Sequence, residues 1–248
     1  MTLSDFFAQN PSVALAFSGG VDSAYLLWAA KHHGAKVRAY YVKSPFQPQF
    51  EQDDATRLAK QLGVPMTILP VDILSHEQIA ANPANRCYFC KKQIFSTILS
   101  AAAADGFPVL LDGTNASDAE NDRPGMQALR ELQVRSPLRE CGLTKEDIRA
   151  LSREAGLFTW DKPAYACLAT RIPTGERITG KKLQATEQAE QFLFSLGFSD
   201  FRIRMHHGDA RLQLPANQLE QLLAHREQIV AELKKYYPSI LLDLEVRP

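Results

Sequence analysis

The sequence predicts an α/β fold, a parallel sheet wrapped by helices, followed by a smaller α+β region. Three observations carry this. Short apolar runs alternate with amphipathic ones from Val13 to about Gly156, the pattern of strand and helix units whose strands pair in parallel. The first strand-to-helix junction is a glycine turn, Ser18-Gly19-Gly20-Val21-Asp22-Ser23. Near Gly180 the alternation changes to an α-β-β-α-β order, which suits a small separate domain. The expected division is 1–175 and 176–248.

Residues 13–17 (Val-Ala-Leu-Ala-Phe) read as the first strand and residues 24–33 as an amphipathic helix. Gly19 and Gly20 between them permit dihedrals closed to other residues and let a ligand approach the main chain. The hydroxyls of Ser18 and Ser23 and the amides at the helix start make a phosphate site, strengthened by the helix dipole. No Gly-Lys-Ser/Thr follows, so this is not a Walker A loop. Residues 36–42 form a second strand and residues 50–62 a helix that Gly63 stops. A third strand covers 65–71. Ligands of such sheets bind beyond the C-terminal strand ends, where the glycine turn falls.

Cys87 and Cys90 open a helix running to about Ala104, flanked by Arg86, Lys91 and Lys92, which favour thiolate. Two thiolates at this spacing suit zinc, an iron–sulfur centre or redox work, and the motif alone does not choose among them. Residues 107–112 are a fourth strand ending in Asp112-Gly113-Thr114-Asn115, a second wall for a nucleotide pocket. Asp118, Asp122, Arg123 and Gly125 continue a polar loop able to reach pyrophosphate or Mg²⁺. A shorter fifth strand is expected at 134–138. A helix at 144–156 follows, with a capping box of Thr144 and Asp147. Residues 160–173 carry two prolines, the isolated Cys167 and Arg171, whose charge can stabilise thiolate or bind an anion. Alone, Cys167 reads as a small buried residue; beside a nucleotide site it becomes a candidate nucleophile.

In the second region, residues 181–196 and 217–236 read as helices, and 201–205, 210–214 and 240–246 as strands. His206 and His207 fall in a hairpin turn and have no partner spacing for a metal. Arg202 and Arg204 share one face of their strand, where paired guanidinium groups suit phosphate or carboxylate; a solvated face is the alternative.

Bulk properties narrow the function classes. Lys plus Arg and Asp plus Glu both number 28 in 248 residues, and this neutrality argues against nucleic acid as a partner. No secretory signal or membrane span is evident, so cytoplasm is the expected compartment. There, cysteines serve metal or catalysis more often than disulfides.

The SGGVDS turn resembles the PP-loop of ATP pyrophosphatases, with the adenine nucleotide alpha hydrolase-like fold that this implies. Taken with DGTN and Asp118, Arg123-Pro124-Gly125, SPL at 136–138, WDKPAYACLATRIP, and Phe201-Arg202-Ile203-Arg204 with Gly208 and Ala210-Arg211, it resembles more narrowly the LarE ATP-dependent sulfur transferases of nickel-pincer nucleotide cofactor synthesis. The resemblance spans almost the whole chain. It implies that ATP, with Mg²⁺, adenylates a pyridinium carboxylate of a mononucleotide, and that sulfur then converts the acyl-adenylate to a thiocarboxylate. It implies nucleotide contacts from Ser18, Gly19, Gly20, Val21, Asp22, Ser23, Gly113, Thr114, Asp118 and Arg123. Asp22, Cys167 and Arg171 would serve catalysis, and Arg202, Arg204 and Glu190 (or Glu187, one turn away) the substrate phosphate. Cys87, Cys90 and Cys167 match members that hold a [4Fe-4S] cluster, whereas in other members the cysteine at the position of Cys167 gives up its own sulfur. Cys141 lies outside that set and reads as structural. A homo-oligomer is also implied. Competing readings are a tRNA thiolase, an amidating PP-loop ligase similar to NAD or GMP synthetases, and a nucleotide-sensing or iron–sulfur-carrying module without turnover.

Overall fold

The computed structural model describes residues 1–118 and 124–247. They form two compact units, Met1–Ile73 with Asn85–Lys162, and Leu74–Ala84 with Pro163–Pro248. The Cys167 segment and residues 74–84 thus go with the second unit, although the sequence pattern carries the first domain to 175. Among the described residues no helix is long and apolar enough to cross a membrane.

The chain runs α1 (Leu3–Gln9), β1 (Ser12–Ala16), α2 (Val21–His32), β2 (Lys36–Lys43), α3 (Gln49–Leu62) and β3 (Met66–Pro70). After α4 (Glu77–Ala80), which belongs to the second unit, come α5 (Arg86–Ala104), β4 (Val109–Leu111), α6 (Pro124–Glu131), α7 (Pro137–Glu140) and α8 (Lys145–Glu154). Among the described residues the sheet order is β3-β2-β1-β4, and every neighbouring pair is parallel. Val13, Ala14 and Leu15 are fully buried, because helices cover both faces of a parallel sheet. From β1 the sheet extends one way to β2 and the other way to β4. A crevice therefore opens at the carboxyl ends of β1 and β4, the topological switch point.

Local chemistry explains the element ends. Gly63 closes α3 with φ 59°, a left-handed cap that glycine adopts without strain. Thr2 and Asp5 form a capping box on α1, a helix the sequence pattern did not bring out. The strand expected at 134–138 reduces to one bridge between Leu111 and Arg135. Pro137 cannot donate to a ladder and instead starts α7 at its first position.

In the second unit α9 (Gly180–Ser195), β5 (Arg202–His206), β6 (Asp209–Gln213), α10 (Leu219–Ala224), α11 (Arg226–Leu233) and β7 (Ile240–Leu242) follow in the expected order. β6 lies between β5, antiparallel to it, and β7, parallel to it. His207 and Gly208 turn the hairpin with φ of 51° and 89°, the double positive φ of a tight two-residue loop. The helix expected at 217–236 breaks at His225 into α10 and α11, and the last strand stops at Leu242. Leu193, Phe198, Phe201, Ile203, Leu212 and Leu233 form the core.

The Thr144 hydroxyl accepts from the Asp147 amide at 3.2 Å, while Asp147 accepts from the Thr144 amide at 2.9 Å. Thr144→Ala should therefore cost about 1 kcal/mol, read as a lower urea midpoint at unchanged slope. Thr144→Ser should retain the wild-type value.

Candidate active site

The glycine turn forms the mouth of the β1–β4 crevice. Ser18 and Ser23 face each other with their hydroxyls 3.1 Å apart. Ser23 Oγ also donates to the Gly20 carbonyl at 3.2 Å and accepts from the Ser18 amide at 3.3 Å. Two glycines make close approach possible. Gly19 has φ +74°, and a Cβ there would stand 3.0 Å from Ala55 Cβ; a Cβ on Gly113 would stand 3.0 Å from the Ser23 amide nitrogen. The backbones after β1 and β4 therefore meet with no room for a side chain between them. A cleft of about 220 Å³ results, lined by Ala16, Ser18, Asp22, Ser23, Phe95, Asp112, Gly113, Thr114 and Asp118.

Its carboxylates are held in different ways. Asp112 is buried and accepts from Thr114 Oγ1 at 2.5 Å and Ser136 Oγ at 2.6 Å, so it serves as a brace. Asp118 caps the Asn115 amide at 3.1 Å, and Arg139 donates to the carbonyls of Asn115 and Asp118. Asp22 accepts from Asn115 Nδ2 at 3.2 Å and pairs with Lys145 Nζ at 2.6 Å. Asn115 closes the wall expected at 112–115, whereas Arg139 and Lys145 carry no motif that marks them in the sequence. Asp122 and Arg123 lie outside the described residues.

The second unit holds a separate cluster of charge. Arg171 and Glu190 are each 1% exposed and pair through Nε–Oε1 at 2.7 Å and Nη2–Oε2 at 3.2 Å. Glu190 also accepts from Tyr165 OH and from the Ile203 amide. Burial works against the Arg171 charge, but the Glu190 hydrogen bonds and charge outweigh it and hold its pKa above the ordinary value. Arg202 is 5% exposed. Burial first, then the charges of Arg171 and Arg247, lower its pKa to about 10. Burial and the same neighbours also lower that of Arg204. Positive charge is thus in excess here, with Glu190 and Asp200 offsetting only part. Such a cluster gains from an anion. The solvated-face alternative for Arg202 and Arg204 is therefore set aside, since Arg202 is buried and Arg204 half-buried.

The same arginines grip the loop that carries Cys167. Arg202 donates to the Ala164 carbonyl, Arg204 Nη1 to the Thr170 carbonyl at 2.7 Å, and Arg171 Nη1 to Thr170 Oγ1 at 2.9 Å. Cys167 is half-buried, and the Arg171 guanidinium donates through Nη1 to the carbonyl of the preceding Ala166 at 3.3 Å. Asn82, in a left-handed conformation at φ 56°, donates to the Pro173 carbonyl at 2.7 Å and so braces the loop's far end. Cys87 is exposed and Cys90 half-buried at the start of α5. They lie in the first unit and Cys167 in the second. Among the described residues no three His, Cys, Asp or Glu side chains gather as a metal-ligand set. Cys141 packs against the first core, and burial raises its thiol pKa.

Comparison with known proteins adds to this geometry. Residues 12–86 match the model of the queuosine biosynthesis protein QueC family. An uncharacterized protein of Synechocystis sp. is 36% identical, covering 98% of this chain and 92% of that protein. The pyridinium-3,5-bisthiocarboxylic acid mononucleotide synthase of Lactiplantibacillus plantarum is 34% identical, over 94% of this chain and 85% of that enzyme. A tRNA-specific 2-thiouridylase of Fervidobacterium nodosum is 27% identical, over 62% of this chain and 55% of that protein.

The arginine cluster has a pH signature. Arg202 is penalised as a cation in the folded state, so folding bears that cost at neutral pH and recovers it as pH rises from about 10 towards the ordinary arginine range. Inorganic phosphate should raise the melting temperature at pH 7 by mass action on the folded state. That rise should shrink above pH 10, as Arg202 loses its proton, and should be much reduced in Arg202→Met at every pH.

Proposed function

The chain belongs to the pyridinium-3,5-bisthiocarboxylic acid mononucleotide synthase family, and on that premise we propose its reaction and the division of labour within it. It is an ATP-dependent sulfur transferase, forming AMP and pyrophosphate, that converts a pyridinium carboxylate mononucleotide to a thiocarboxylate in nickel-pincer nucleotide cofactor biosynthesis. The observation that carries the assignment is the phosphate-ready turn at the β1–β4 crevice, in a chain that matches the synthase along nearly its whole length. A tRNA substrate has weaker support, from lower identity over a smaller share of the chain and from net charge zero. Nothing described favours the amidating or non-catalytic alternatives.

A carboxylate oxygen of the substrate attacks the α-phosphorus of ATP, and the α–β bridging oxygen leaves with pyrophosphate. A carboxylate is a poor electrophile, and the resulting mixed anhydride supplies AMP as a leaving group. Sulfur then bonds to the acyl carbon and AMP departs with the bonding pair. Ser18, Gly19, Gly20, Val21 and Ser23 would grip the phosphates, with Gly113, Thr114 and Asp118 on the facing wall. Mg²⁺ commonly uses one or two protein carboxylates beside phosphate oxygens and water, which fits Asp22; when bound it neutralises developing charge. Arg202 and Arg204 would hold the substrate phosphate. Arg171, locked to Glu190, would keep the Cys167 loop in place.

Sulfur would come, in this proposal, either from sulfide on a [4Fe-4S] cluster that Cys87, Cys90 and Cys167 would hold, or from Cys167 itself. In the second case the Cys167 thioester with the acyl carbon would lose its Cα proton to a base as the Cβ–Sγ bond breaks, leaving dehydroalanine in the chain and the sulfur on the substrate. The C-x-x-C at the start of α5 supports the first. A cysteine on a loop held by Arg171, Arg202 and Arg204 supports the second, and adenylation proceeds alike under both. A cytoplasmic setting is supported by four cysteines without a disulfide. A homo-oligomer is supported by exposed Leu223, Leu244 and Val246 in the second unit.

Asp22→Ala and Ser23→Ala should each abolish substrate-dependent pyrophosphate release while thermal unfolding stays near wild type; wild-type turnover in either would sink the adenylation assignment. The sulfur source is read by absorption and mass. Brown anaerobic protein, with the colour lost in Cys87→Ser, Cys90→Ser and Cys167→Ser and many turnovers on added sulfide, establishes the cluster. Colourless protein whose Cys167 loses the mass of H₂S in one turnover, with Cys87 dispensable, establishes the sacrificial thiol.

A further inference from the structure

The loop that carries Cys167 is fastened at its trailing end by one neutral side chain. Asn82 is 1% exposed, and its Nδ2 donates to the carbonyls of Pro173 at 2.7 Å, Glu176 at 3.2 Å and Ile172 at 3.3 Å. Its own carbonyl accepts from the Gly175 amide, and the Ala80 carbonyl from the Ile178 amide, each at 2.8 Å. Asn82 holds φ 56°, a left-handed conformation that glycine adopts freely and other residues seldom do. Were the turn the only requirement, glycine would meet it without strain. Asn and Asp are the side chains that best tolerate this conformation, and of the two only Asn donates. A carboxylate would turn acceptors towards three carbonyls that can only accept. The residue at this position is therefore set by its amide. A strained backbone held in place by buried bonds is a feature that gathers at functional sites.

The chain between this anchor and the thiol is stiff. The Thr170 amide and hydroxyl both donate to the Cys167 carbonyl, at 3.0 and 2.8 Å, and Leu168 and Ala169 are fully buried. A displacement at Ile172 is therefore carried back to Cys167. We infer that Asn82 is a positioning residue for the sulfur-transfer step. It fixes the end of the segment on which Cys167 rides, and so fixes where the sulfur meets the acyl carbon. Bond formation is sensitive to displacements of an ångström, which makes such an anchor consequential although Asn82 touches neither reacting group. Adenylation, assigned to the glycine turn of the first unit, does not draw on it. The inference rests on the sulfur-transfer reading of the chain.

Two products of a single turnover of the intact protein test it, pyrophosphate and thiocarboxylate, formed from ATP, Mg²⁺ and the pyridinium carboxylate mononucleotide. Asn82→Gly keeps the turn and removes the amide. It should release pyrophosphate at the wild-type rate, with KM for the mononucleotide unchanged, and form thiocarboxylate about ten- to hundredfold more slowly. Asn82→Asp should show the same split. Amide hydrogen exchange across residues 168–176 should quicken in both variants, while that of β6 stays at the wild-type rate. A role in folding alone would lower both products together and the melting temperature with them. That result would overturn the inference, as would wild-type thiocarboxylate formation in Asn82→Gly. Should Asn82→Gly fail to fold, Asn82→Asp supplies the same comparison. Wild-type protein that releases no pyrophosphate would remove the functional reading as well, whereas wild-type turnover with an indifferent Asn82→Gly removes only this step.

Discussion

The nucleotide half of the molecule depends on one constraint, the parallel pairing of β1 with both of its neighbours. Parallel pairs need crossover helices, and those helices bury both faces of the strands. This is why Val13, Ala14 and Leu15 are wholly apolar and fully covered. The same pairing sends the chain in opposite directions on the two sides of β1, so the loops after β1 and β4 cannot cover the gap between them. The glycine turn and the Asp112-Gly113-Thr114 wall occupy that gap. Their glycines are fixed by contact distance: a methyl group at position 19 or 113 would reach the backbone or side chain opposite.

The second unit is governed by a buried ion pair. Isolating Arg171 from Glu190 would leave an uncompensated charge in the interior, which is far costlier than losing a surface pair. Glu190 meets this need by linking three elements, since it sits on α9, accepts from the β5 backbone at Ile203 and binds Arg171 in the Cys167 loop. The arginines of β5 then lie in an environment already rich in positive charge. Burial first, and that surplus second, lower their pKa values.

Much of this was legible in the sequence because it is local. Apolar runs, the glycine turn, the start of α5 at the C-x-x-C and the α-β-β-α-β order each depend on residues within one element or its cap. The failures have local causes too. Residues 134–138 have a strand's apolar content, but Pro137 begins a helix there. Thr2 and Asp5 show a capping signature before a helix of only seven residues, too short for periodicity to stand out. What could not be read was long-range pairing. Asn115 and Lys145 reach Asp22 across 93 and 123 residues, and no spacing rule connects them. Lys145 did leave one trace, a cation on the wrong end of its helix.

Arg202 and Arg204 already spend donors on the carbonyls of Ala164 and Thr170, so in the role proposed for them a phosphate would compete with those carbonyls for the same guanidinium groups. The two carbonyls flank Cys167 in sequence. Occupancy of the proposed anion site and the fastening of the thiol's own loop would then draw on one set of donors.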